Sequence, residues 1–145
     1  MGVLAAALAN LATVTVSGVT SYPLEETPDS VGGAQLPVLV IQPELGGESP
    51  GLEPNNFSAG DGALTVQVGH LLLLAPITAG LGLRSTLPDL IEAIDAYAEA
   101  MAADPMLNGA LPAALRFSVR AGIVRYAGVD YHGAVFTHTW TLHVS

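Results

Sequence analysis

Between Phe117 and Val144 the chain alternates twice with a period of two. Phe117, Val119, Ala121 and Ile123 are interleaved with Arg116, Ser118, Arg120 and Gly122, and further on Phe136, Trp140, Leu142 and Val144 with Thr137, Thr139, Thr141 and His143. Such a period puts one set of side chains on each face of an extended strand, so any fold for this chain must contain a sheet. The connection from Tyr126 to Gly133 carries Gly128, Asp130 and Gly133, and the whole segment reads as a β-hairpin with Trp140 turned toward a core.

Upstream the same period recurs. Val66, Val68, Leu72 and Leu74 share a face opposite Thr65 and Gln67, and the second half of Ala63–Ala75 is apolar on both faces, which predicts a central strand. His70 has the parity of Val66 and Leu72 and reads as a hydrogen-bonded core or edge residue. Leu36–Ile41 is a short β-branched run, expected to be a buried strand, and the alternation of Thr13–Thr20 predicts a half-buried one. Helical spacing appears twice. Val3, Leu4, Ala7, Leu8 and Leu11 recur in a segment without charge, and Leu87, Leu90, Ile91, Ile94, Ala98 and Met101 form a longer stripe. Thr86 and Asp89 resemble a capping box for that second helix, Pro88 fits its first turn, and Pro105 ends it. Glu92, Asp95 and Glu99 lie along another face of the same helix. The expected fold class is therefore α+β, a mostly antiparallel or mixed sheet of about five strands with two helices packed on it.

The segment 42–62 holds three prolines, five glycines and four carboxylates, and reads as a long acidic loop within a single domain spanning 1–145. Half the residues are hydrophobic and 12% are charged, which excludes a disordered chain. The longest apolar run, Leu71–Leu83, falls short of the roughly 20 residues that a spanning helix needs and is interrupted by Pro76, Gly80 and Gly82. The N-terminal stretch lacks the basic residues that open an export signal. No membrane association is expected. Four Arg and no Lys against thirteen carboxylates give a net charge of −9, the wrong sign for neutralising many phosphates, so no direct nucleic-acid binding is expected either.

Chemistry is sparse. The chain has no cysteine, which removes disulfides, thiolate metal sites and cysteine nucleophiles together. It has no nucleophile elbow, phosphate loop or dinucleotide fingerprint. His138 and His143 point to opposite faces of one strand, and His132 lies roughly 20 Å from His138, so the three form no local metal site; a cross-strand site with His70 stays open. No catalytic residue, cofactor or metal is assigned. Arg116 and Arg120 project from one strand face, about 13 Å apart. They either pair with local carboxylates or meet acidic groups of another subunit, for which arginine is well suited.

Three passages, "LAAALANLATVTV" with "SYPLEETP" and "LPVLVIQPE", the helix "LPDLIEAIDAYAEAMAADPMLNGAL", and the hairpin "GIVRYAGVDYHGAVFTHTWTLHV", together span most of the chain. In their order of elements they resemble the tail terminator and tail-completion proteins of long-tailed bacteriophages, small neck proteins that cap the tail tube. The resemblance implies an α+β subunit without catalytic residues. It also implies a virion location in the tail neck after assembly in the host cytoplasm. The subunit would form a homo-oligomeric ring, commonly a hexamer, with the tail tube protein and the head-connector protein as partners. A ring is built from heterologous contacts, for which Arg116 and Arg120 on one side and Glu92, Asp95 and Glu99 on another are the candidate interface. The alternatives are a head-tail connector or head-completion protein and a non-viral module holding a small apolar ligand under the Leu71–Leu74 strand. An enzyme using His70 or His138 with a carboxylate has no supporting spacing.

Overall fold

The computed structural model describes residues 2–43, 52–58, 61–77 and 83–144, with the side chains of 52–58 and of Asp61 excepted. It has the α+β architecture expected. Helix α1 (Val3–Ala12) is followed by strands β1 (Thr20–Ser21), β2 (Val38–Ile41), β3 (Leu52–Ser58) and β4 (Asp61–Pro76), then helix α2 (Leu87–Ala103) and the hairpin β5 (Phe117–Tyr126) and β6 (Val129–Val144). The strands form one mixed sheet in the order β1-β2-β4-β6-β5, with β3 beside β4; β1 and β2 are parallel and the other pairs antiparallel.

Register sorts the side chains into two layers. Val66, Val68, His70 and Leu72 lie opposite Trp140, His138, Phe136 and Ala134, so all eight share the front face, and both helices cover it. Ala7, Leu8, Leu11 and Ala12 of α1 and Leu90, Ala93, Tyr97 and Met101 of α2 close the main core against them. On the back face a smaller core of Val38, Val40, Leu71, Leu73, Val124, Tyr126 and Tyr131 lies beneath the segment from Tyr22 to Leu36. The Tyr126 hydroxyl bonds to the Pro28 carbonyl and the Tyr131 hydroxyl to that of Val31, tying this segment to the sheet.

β2 and β4 lie where the apolar runs place them, β2 buried along its whole length and β4 between strands on both sides. Other expectations are corrected. Thr13–Thr20 is not a strand: Ser17 and Gly18 make a tight turn with Gly18 at φ +77°, and Val16 and Val19 pair with each other, leaving only Thr20 and Ser21 to reach β2. A Ser-Gly dipeptide is a turn signal, and it outweighs the alternation around it.

The acidic loop 42–62 is also shorter than expected, because Leu52–Ser58 pairs with β4 and β4 itself begins at Asp61. Residues 44–51 and 59–60 lie outside the described residues. Pro54, one of the three prolines of this segment, is accommodated by its position opposite Leu64. Odd-numbered residues of β4 bond on that side, as Gly69 does to the Gln42 N–H, so the missing proline N–H falls on the free edge.

The hairpin connection is Ala127-Gly128 alone, both at positive φ (52° and 81°), the backbone of a two-residue turn matched to strand twist. Asp130 to Gly133 therefore belong to β6. Gly133 is obligatory, since a Cβ there would collide with the Leu72 carbonyl where the β4–β6 ladder shifts register between Leu73 and Ala75. Among the described residues, no helix is long and apolar enough to cross a membrane.

Candidate functional site

α2 sets the most unusual group of the molecule. Its buried residues are Leu90, Ala93, Tyr97 and Met101, a stripe rotated from the expected one, with Leu87, Ile91 and Ala98 left exposed. Rotation places the largest side chain of the helix, Tyr97, flat on Phe136 with ring centroids 3.6 Å apart and edge-on to Phe117 at 5.6 Å. The Thr86–Asp89 capping box is not formed. Thr86 has helical dihedrals, and its hydroxyl bonds to the Leu83 carbonyl and to His132 Nδ1. That contact pins the start of α2 to β6.

The Tyr97 hydroxyl lies between two buried histidines, 2.8 Å from His70 Nδ1 and 2.6 Å from His138 Nε2. His70 and His138 are thus brought together across β4 and β6, as parity allowed, while His132 is held by Thr86 and His143 is exposed. A hydroxyl has one proton, so one histidine accepts it and the other donates a ring N–H to the phenol oxygen. Both rings are neutral in that arrangement. Burial is the main reason: it lowers His70 to about 3, with His138 nearby adding to the effect, and lowers His138 to about 4. Burial likewise raises the Tyr97 phenol well above its usual range, so it stays protonated. His70 Nε2, His138 Nδ1 and Trp140 Nε1 have no hydrogen-bond partner among the described residues. His70, Tyr97 and His138 are all buried. The group's chemistry is that of a polar clamp inside an apolar core, holding α2 to the sheet in one orientation.

A missed signal lay in the sequence here. The expected stripe omits Tyr97, although the series 90, 93, 97, 101 has helical spacing and two strand histidines of one parity need a buried partner.

The candidate interface residues are exposed and separated. By alternation Arg116 and Arg120 lie on the back face of the sheet, whereas Glu92, Asp95 and Glu99 lie on the side of α2 turned away from the front face. No subunit can bring the two sets together. Among the described residues Arg125 pairs with Asp130 at 3.2 Å, and neither Arg116 nor Arg120 forms an ion pair. The back face also carries a concave basin of about 830 Å³ between Thr27–Asp29 and the sheet, with Arg120, Ser118, Thr137 and Gln42 beside Leu71, Val124 and Val135. Comparison of the sequence with family models and with curated proteins gives no match.

Proposed function

We propose that the chain is a structural assembly subunit, a tail terminator of the long-tailed bacteriophage kind. Its copies close into a hexameric ring on the end of the tail tube, stop its growth and offer a docking face to the head connector. The observation that carries this reading is the placement of charge. Two arginines without an ion partner among the described residues face one way, and three carboxylates on α2 face the other. Such charges pair only between successive copies, front to back, and a contact of that type closes a ring when the successive rotations add up to a full turn. Arginine forms bidentate contacts with carboxylates, which fixes orientation as well as attraction. The resemblance of the three sequence passages adds the neck of a phage tail as the setting.

The back basin favours a second reading, a small-ligand module. Its lining pairs Arg120 and hydroxyls with Leu71, so the ligand would be an anion with an apolar part rather than a purely apolar molecule.

Charge reversal tests the head-to-tail contact. Arg116→Glu with Arg120→Glu is expected to abolish assembly beyond a dimer by light scattering, and so is Glu92→Arg with Asp95→Arg and Glu99→Arg. An equimolar mixture of the two variants restores it, because each altered face then meets its complement. If both variants keep the wild-type circular dichroism and the mixture forms nothing larger than a dimer, or if either variant alone forms the larger species as wild type does, the contact is wrong.

A further inference from the structure

We propose that two copies of this chain pair through β5, antiparallel about a twofold axis at Ala121, and merge their sheets into one. β5 is the last strand of the sheet and ten residues long. The Thr139 N–H donates to the Arg116 carbonyl at 3.2 Å, which turns the backbone groups of even-numbered β5 residues toward β6. Those of Phe117, Val119, Ala121 and Ile123 therefore point out from the edge. A long edge of this kind, uncovered among the described residues, is a template for another strand.

The side chains select both the occupant and the register. Val119 and Ile123 lie on the front face yet are 45% and 58% exposed, because α2 does not extend over them. They are placed symmetrically about Ala121. Centring the pair on Ala121 sets Val119 of each copy against Ile123 of the other, so two apolar pairs form from one pattern. On the back face Arg120 then lies opposite Gly122, which has no side chain to oppose it. Shifting the pair one way sets Arg120 against Arg120, a like-charge contact; shifting it the other way sets Val119 against Arg125.

Charge agrees with the same register. Arg116 comes opposite Tyr126 of the second copy, and Asp29 lies beside that tyrosine, where its carboxylate, after burial, raises the phenol. Asp29 and Arg116 have no ion partner in their own subunit among the described residues, and the pairing supplies one to each, twice.

The helices close the joint. α2 runs alongside β6 from the Thr86–His132 contact toward His138, and its right-handed turn carries Leu87 and Ile91, 45% and 52% exposed, on the flank above β5. Three strand spacings of about 4.8 Å would put the two copies of α2 about 14 Å apart over the shared strands, a gap that these side chains can fill. Arg116 serves this contact or the head-to-tail one, not both at once, so the two belong to different states of the chain. The pairing does not rest on the ring reading.

Because the chain has no cysteine, one introduced thiol reports the register. Ala121→Cys in the full chain, treated with a short bis-maleimide, is expected to give a covalent dimer at micromolar concentration. Ala127→Cys, at the far end of the strand, gives none. Sedimentation of the wild type shows a dimer, and Ile123→Lys weakens it at least tenfold with unchanged circular dichroism. A wild type that remains monomeric at all concentrations overturns the pairing, as does a dimer that cross-links at 127 and not at 121. Charge-reversed variants that fail to restore head-to-tail association but still cross-link through Cys at 121 would end the ring reading alone.

Discussion

Tyr97→Phe is expected to destabilise the subunit by about 2 to 5 kcal/mol in urea unfolding, although it removes a single oxygen. Phenylalanine keeps the stack on Phe136 and fills nearly the same space, so packing is hardly changed. What is lost is the partner of two buried nitrogens, His70 Nδ1 and His138 Nε2. An unsatisfied buried polar group costs about 1 to 3 kcal/mol, and here two are created at once. The effect must therefore be non-additive. Adding His70→Leu and His138→Leu to Tyr97→Phe removes all members of the group together and should recover much of the loss, because no polar atom is then stranded. A Tyr97→Phe variant within about 0.5 kcal/mol of wild type would mean that the hydroxyl contributes no clamp.

Acid is expected to unfold the protein at about pH 4.5, well above the pH at which exposed carboxylates alone would do so. Above pH 6.5 both histidines are neutral whether the chain is folded or not. As the pH falls below 6.5 the unfolded chain takes up protons on both rings. The folded chain does not, because His138 is held down to about 4 and His70 to about 3. The unfolded state binds more protons, so stability falls with pH across that window, by about 1.4 kcal/mol per pH unit for each ring. Two units of acidification cost about 5 kcal/mol, the whole stability of many domains. Near-ultraviolet circular dichroism from Trp140 and Tyr97 follows the transition, and the triple variant should lose most of its slope. An unchanged tertiary signal at pH 3.5 contradicts this.

The elements that could be read from sequence are those in which one interaction dominates. β2 and the second half of β4 are apolar on both faces because the helices cover one face and the segment from Tyr22 to Leu36 the other, and α1 shows its helical spacing because Ala7, Leu8, Leu11 and Ala12 meet the sheet. Where two signals compete, local pattern misleads. Thr13–Thr20 alternates like a strand but contains a Ser-Gly turn; Leu52–Ser58 looks like loop but needs only an edge on which Pro54 lacks nothing. The buried stripe of α2 differs from the expected one because Leu87 and Ile91 have the hydrophobicity of core residues, while Tyr97 has the contacts. Its partners, His70 and His138, are 27 and 41 residues away, and no local window joins them. The charged residues are legible individually, but their placement on opposite faces follows from strand parity and helix rotation together, which only the packed structure supplies.

Electron microscopy of tail tubes grown with the purified protein shows whether this chain is an assembly subunit that ends a tube. A ring of density at one tube end and arrested elongation are expected. Tubes that lengthen freely with bare ends, in the presence of folded protein, would contradict that role; density on the head connector alone would favour the head-completion alternative.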